Sequence, residues 1–250
     1  MFRARRVTDQ QRVALKVLRP ELLASHTAKR FLREISVLQQ LDHPLIARLL
    51  DFGEAGDWLV YYVMEFVEGP TLRVWLDTHG PAPLDATVTR SLDVLDAVAH
   101  AHARGIIHRD VKPENIVLAE RGATLLDFGI ARAVAVSEEQ RVTRSGFTVG
   151  TSAYMSPEQA MGHDVDHRSD LYALGCVLFE CLAGRPPYQH PLESQVLQLH
   201  QKAPVPDVRE FRPDVSPGLS AFIERGLAKE PSDRWQTAVE MRGALQAVGS

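Results

Sequence analysis

One short run, His108–Arg109–Asp110–Val111–Lys112–Pro113–Glu114–Asn115, gathers groups that rarely sit together. Asp110 is a carboxylate, Lys112 an ammonium and Asn115 a carboxamide, at positions i, i+2 and i+5. They supply a proton acceptor, a phosphate-binding cation and a neutral metal ligand. Moving a phosphoryl group onto a hydroxyl needs those three kinds of group near one point. A His-Arg-Asp tripeptide alone would read as a solvated turn; the added lysine and asparagine resist that reading. A second signal, Asp127–Phe128–Gly129, follows a strand-like Thr124–Leu126. A hairpin between the two motifs would bring the Asp127 carboxylate back beside the first loop. Two oxygen ligands, Asn115 and Asp127, suit Mg²⁺, which keeps phosphates and waters for its remaining positions.

These loops need elements to hold them. Arg12–Leu18 (RVALKVL) is β-branched and mostly apolar, and the polar turn Thr8–Gln11 joins it to a short preceding strand. Thr27–Gln40 places Phe31, Leu32, Ile35 and Leu38 at helical spacing. Leu45–Phe52 and Trp58–Phe66 read as strands, with Gly53 and Gly56 in the turn between them, and Glu68–Gly69–Pro70 punctuates the chain. From Thr71 onward helices dominate: Leu72–Leu76, Leu84–Arg104, Leu171–Ala183, Gln195–Gln201, Leu219–Ala228 and Thr237–Ala247. Short strands near Ile116–Leu118 and Thr124–Leu126 interrupt them. Pro204, Pro206, Pro213 and Pro217 mark a rigid surface connection. The expected class is α+β, a small β-rich lobe followed by a larger helical one.

At 250 residues the chain is long enough for one large domain or two small lobes. Its net charge of −4 gives no general attraction to nucleic acid or anionic membrane, so any basic site must be local. No uncharged apolar run is long enough for a membrane segment, and Met1–Gln10 lacks the apolar stretch of a secretory signal; a cytoplasmic location is the expectation. Cys176 and Cys181 fall in one apolar helical segment, where sulfurs rarely reach bonding geometry, and are expected to be reduced core thiols.

With these motifs in order, the chain resembles the protein kinase family over essentially its whole length. GTSAYMSPEQA and DLYALGCVLFECLAGRPPY are most similar to the bacterial eukaryotic-like (Hanks-type) serine/threonine kinases. The resemblance implies one bilobal catalytic domain over residues 1–250, with an N-lobe over 1–64, a hinge over 65–69 and a C-lobe over 70–250. It implies ATP and Mg²⁺ as cofactors. Val13–Ala14–Leu15–Lys16 matches the strand whose lysine holds the α/β-phosphates, and Glu34 matches that lysine's ion-pair partner. Backbone groups of Glu65 and Val67 would bond the adenine edge, and Ala14 and Val117 would sandwich the purine. Asp127 and Asn115 would hold Mg²⁺, Asp110 would orient the hydroxyl and accept its proton, and Lys112 would neutralise the γ-phosphoryl. Architectural roles are implied for Glu158 paired with Arg234, and for Asp170 beneath the catalytic loop.

Lys112 and Thr151 match the serine/threonine rather than the tyrosine pattern. The partners implied are proteins presenting serine or threonine, with no nucleic acid and no membrane segment, and a transient homodimer for trans-autophosphorylation. Ile130–Val149 corresponds to the activation segment, with hydroxyls at Ser137, Thr143, Ser145 and Thr148. A phosphate there could pair with Arg109; Thr143 is favoured over Ser145. One departure stands out. The family begins with a strand, a Gly-x-Gly-x-x-Gly loop and a second strand, whereas Met1–Arg5 aligns with the second strand already under way. That should expose the sheet edge and weaken nucleotide binding. A late-placed start is favoured over a weak or inactive kinase-like scaffold, because Lys16, Asp110 and Asp127 are all present. A small-molecule phosphotransferase is disfavoured by the complete Gly-Thr…Ser-Pro-Glu segment.

Overall fold

Strands β1 (Phe2–Arg5) and β2 (Arg12–Leu18) form the hairpin that the polar turn between them predicts, closed by Arg6 N donating to Gln11 O. The structure, a computed structural model, describes residues 1–18, 35–56, 59–128 and 151–249. Strands β3 (Leu49–Ala55) and β4 (Leu59–Glu65) complete an antiparallel sheet in the order β1-β2-β4-β3. Side chains alternate across a strand, and β4 obeys this closely: Val60, Tyr62 and Met64 are buried while their neighbours are half-exposed. The buried set packs with Ala14, Ile35 and Leu49 into a small apolar cluster. Only the end of the predicted helix Thr27–Gln40 falls among the described residues, as a helical turn at 35–37 and a 3₁₀ turn over Leu38–Gln40.

Two expectations for the sheet are corrected. The strand predicted over Leu45–Phe52 starts at Leu49, because Leu45 and Ala47 bond elsewhere: Leu125 N donates to Leu45 O and Ala47 N to Leu125 O, both at 2.9 Å. It then continues to Ala55, so Gly53 lies within the strand opposite Tyr61 and Gly56 alone occupies the turn, at φ +64°.

The helical lobe follows a short connection. Its helices are α1 (Leu72–His79), α2 (Leu84–His102), α3 (Pro157–Met161), α4 (Arg168–Ala183), α5 (Glu193–Lys202), α6 (Pro217–Gly226) and α7 (Ala238–Val248). Strands β5 (Ile116–Ala119) and β6 (Gly122–Leu125) form a separate hairpin. Helix α4 is apolar on every side, and a helix of that kind is a central post: Ser169 through Leu182 are all buried. Cys176 and Cys181 lie within it as free thiols, and burial pushes both well above the usual thiol range. Among the described residues no helix is long and apolar enough to cross a membrane.

Candidate active site

The loop between α2 and β5 is held from below by one carboxylate. Asp170, 1% exposed near the start of α4, accepts His108 N at 2.8 Å and Arg109 N at 2.7 Å, and takes His102 Nε2 at 2.8 Å. Burial alone would push this carboxyl up; the hydrogen bond and charge of His102, with the loop's own donors, hold it below the usual range. Satisfying both oxygens with consecutive backbone N–H groups puts Arg109 at φ +67°, a conformation that a non-glycine residue keeps only when its surroundings demand it. His108 is buried and spoken for on both ring nitrogens. Nε2 donates to Leu126 O at 2.7 Å and Nδ1 accepts from Asp110 N at 3.2 Å, which sets the tautomer. Its ring meets Phe128 edge-on, with centroids 4.6 Å apart.

On this base the chemical groups are packed tightly. Asn115 Nδ2 donates to Asp110 O at 2.8 Å and to Asp110 Oδ2 at 3.0 Å, and Lys112 Nζ pairs with the same Oδ2 at 2.8 Å. Leu126 N donates to Asn115 O at 2.8 Å, so Asp127 starts one residue from the loop. The Asp127 carboxylate is bracketed from the sheet: Lys16 Nζ reaches Oδ2 at 3.0 Å and Tyr62 Oη donates to Oδ1 at 2.8 Å. Burial first, then the carboxylate, pushes the Tyr62 phenol far up, so it remains a donor. Lys16, Asp110, Lys112, Asn115 and Asp127 thus converge where the sheet meets the helical lobe. Glu34, the implied partner of Lys16, lies outside the described residues, as do Gly129 and the whole of Ile130–Val149 with Thr143 and Ser145.

The residues implied for the nucleotide base occupy the neighbouring seam. Ala14 in β2 and Val117 in β5 are both buried. Pro70 O accepts from Leu118 N at 2.9 Å and Thr71 bridges to Val117, which lays the connecting segment along β5. Gly69 sits there at φ +142°, where an added Cβ would lie 2.3 Å from Leu118 O; no other residue fits. Glu65 N donates to Arg48 O at 2.9 Å, its carboxylate pairs with Arg121 at 2.7 Å, and Val67 is half-buried beyond it.

Two further links hold the segment after residue 150, one to the loop and one to Arg234. Ser156 caps α3 in a reciprocal box with Gln159, whose Nε2 donates to Arg109 O at 2.9 Å. Glu158 meets the fully buried Arg234 through two bonds of 2.8 and 2.7 Å, and these hold its carboxyl low against the burial that would raise it.

Sequence reasoning missed Tyr62 and Arg73. Arg73 in α1 donates to Tyr154 Oη at 2.6 Å and Glu180 Oε1 at 2.7 Å, and reaches Glu114 at 3.3 Å. For Tyr62 the available signal was its place in a predicted strand, Trp58–Phe66; that this strand pairs with the Lys16 strand is seen only in the structure. Nothing local marked Arg73.

A one-carboxylate, one-carboxamide oxygen set fits Mg²⁺, which takes few protein ligands. Among the described residues no group of three or more His, Cys, Asp or Glu is placed to hold a metal ion.

A small antiparallel sheet over a helical lobe, with an Asp-Lys-Asn loop and a second aspartate meeting a strand lysine between them, is the architecture of a phosphoryl-transfer domain. The family model of the protein kinase domain matches residues 1–245. The serine/threonine-protein kinase PknB of Mycobacterium leprae is 42% identical over 99% of this chain and 40% of its own length. PknB of Mycolicibacterium smegmatis is 44% identical over 94% of this chain and 38% of its own length. The crystal structure of a variant PknI kinase domain from Mycobacterium tuberculosis superposes with a TM-score of 0.76 at 31% identity, covering 99% of this chain and 89% of that one. The chain belongs to the protein kinase family, among the bacterial Hanks-type serine/threonine kinases. It spans about two fifths of the length of the curated relatives named here.

Proposed function

We propose that this domain transfers the γ-phosphoryl group of ATP to serine and threonine hydroxyls of proteins, and that its own activation segment, at Thr143 or Ser145, is among its substrates through a transient homodimer. The observation that carries the reading is the shared Asp110 Oδ2, contacted by both Lys112 and Asn115, with Asn115 tied through Leu126 to Asp127. Mg²⁺, when bound, neutralises phosphate charge and orients the phosphoryl group for in-line transfer.

The chain's own residues do the rest. Lys112 and Asn115 engage one oxygen of Asp110, which presents Oδ1 to an incoming hydroxyl as hydrogen-bond acceptor and then proton acceptor. Lys112, already beside that carboxylate, neutralises the phosphoryl charge that arrives there. Asn115 and Asp127 supply the metal oxygens. Lys16, for which the family resemblance implies Glu34 as partner, draws in the α/β-phosphates, and leaving Asp127 for them is the rearrangement that nucleotide binding requires. Ala14 and Val117 close on the purine from the two lobes, with the backbone of Glu65 and Val67 along its edge. Positioning and electrostatics supply most of the rate in such a site.

The test is incubation with labelled ATP, Mg²⁺ and a generic basic protein, followed by mass-spectrometric site mapping. Phosphoserine and phosphothreonine on protein support the reading; label on small alcohols alone overturns it. A thermal-shift titration with Mg·ATP separates a catalyst from a scaffold, since a scaffold gives no shift at millimolar nucleotide.

A further inference from the structure

Tyr62 stands directly opposite Lys16 in the β2–β4 ladder. Cross-strand partners project from the same face of a sheet, so both side chains descend from the sheet onto one target. They divide it between them: Lys16 Nζ takes Asp127 Oδ2 at 3.0 Å and Tyr62 Oη takes Oδ1 at 2.8 Å. The two differ in how firmly they are held. Lys16 is one-third exposed on a flexible stem, whereas Tyr62 has no exposed surface and lies in the apolar cluster with Val60, Met64 and Ile35. Lys16 Nζ also lies 5.6 Å from the Tyr62 ring centroid, so the ring serves as a rest for the lysine as well.

Asp127 needs a fixed partner. Its backbone is at φ +55°, a state that costs on the order of 1–3 kcal/mol in a non-glycine residue unless neighbours impose it. When Lys16 turns to phosphates, Tyr62 is, among the described residues, the side-chain donor that stays on the carboxylate. We propose that Tyr62 is a positioning residue for divalent-metal binding, its hydroxyl holding Asp127 Oδ1 so that the carboxylate is oriented before metal and nucleotide arrive. Hydrogen bonds behind a metal-ligating carboxylate raise metal affinity by ordering it, and their loss typically weakens that affinity about 10- to 100-fold. This rests on the reading of Asp127 as a metal ligand.

The test is Tyr62→Phe in the full chain, which removes one hydroxyl and keeps the ring, its packing and the rest for Lys16. Metal affinity is read without turnover, from the free Mn²⁺ electron paramagnetic resonance signal during titration in the presence of ADP; Mn²⁺ accepts the same oxygen ligands as Mg²⁺. The expected result is a metal dissociation constant raised by about 10-fold, with metal-free ADP binding and the melting temperature unchanged. Tyr61→Phe, on the opposite face of the same strand, is expected to match the unaltered protein. An unchanged or lowered constant in Tyr62→Phe overturns the assignment alone. So does an equal loss of metal-free ADP binding, which would place Tyr62 in the general packing of the pocket. Absence of metal-dependent ADP binding in the unaltered protein overturns both this assignment and the reading beneath it.

Discussion

Asn115 grips Asp110 twice, its amide nitrogen donating to the backbone oxygen at 2.8 Å and to Oδ2 at 3.0 Å. The loop from Asp110 to Asn115 is thereby folded onto itself, and the proposed base and a proposed metal ligand become one rigid unit. Displacing either by about 1 Å can cost about 100-fold in rate.

The first prediction addresses that unit. Asp110→Asn keeps the shape of the loop and removes the proton acceptor, so label transfer should fall by about 10²–10⁴ while nucleotide binding persists. Asp127→Asn should abolish detectable transfer with the fold intact, since it removes the only carboxylate of the proposed metal pair. Circular dichroism melts beside the labelling assay separate the two effects; undiminished transfer by Asp127→Asn would refute the site.

A second prediction concerns the floor of the loop. Asp170→Asn leaves one acceptor oxygen where His108 N, Arg109 N and His102 Nε2 now share two. An unsatisfied buried donor costs about 1–3 kcal/mol. The variant should melt at lower temperature and should lose turnover beyond what stability explains, because Arg109 is freed from its left-handed backbone. A melting curve superposable on that of the unaltered protein would contradict this.

Glu158 and Arg234 give a stability prediction with a pH signature. Removing one member of a buried pair typically costs about 3–5 kcal/mol, so Glu158→Gln should be strongly destabilised at neutral pH. Against the burial that would raise it, the two bonds from Arg234 hold the folded-state pKa of Glu158 below its ordinary value of 4.5. Its contribution is therefore complete above pH 4.5 and is lost as pH falls through the depressed folded value. Asp170 behaves alike, below 3.8. Denaturant melts from pH 7 to pH 3 should show stability flat at first and then falling, with the fall smaller in Glu158→Gln.

Gly69→Ala tests the connection between lobes. With φ at +142° and a Cβ position 2.3 Å from Leu118 O, alanine must push the segment off β5. The expected outcome is a lowered melting temperature and weaker ATP binding by calorimetry, with Gly56→Ala, where nothing lies within 4 Å, the milder of the two.

Much of this protein was legible locally. The strand-like run Trp58–Phe66, the apolar run of Leu171–Ala183 and the punctuation at Glu68–Pro70 are short-range patterns, and the structure builds a strand over Leu59–Glu65 and a helix over Arg168–Ala183 on them. The loop motifs named their chemistry by residue type alone. The errors came where a strand's backbone partners lie far away: Leu45 and Ala47 bond Leu125 rather than β4, and no period within the segment records that.

The sequence by itself determined which groups are present and which short elements carry them, because propensity, alternation and turn chemistry act over a few residues. Only the tertiary structure decided what those groups touch. That Lys16 and Tyr62 take opposite oxygens of Asp127, or that Arg73 joins Tyr154 to Glu180, depends on side-chain direction and on strand register across the whole chain. Hydrogen bonds are settled at the scale of an ångström, and that precision comes only when the sheet and the helical lobe close on one another.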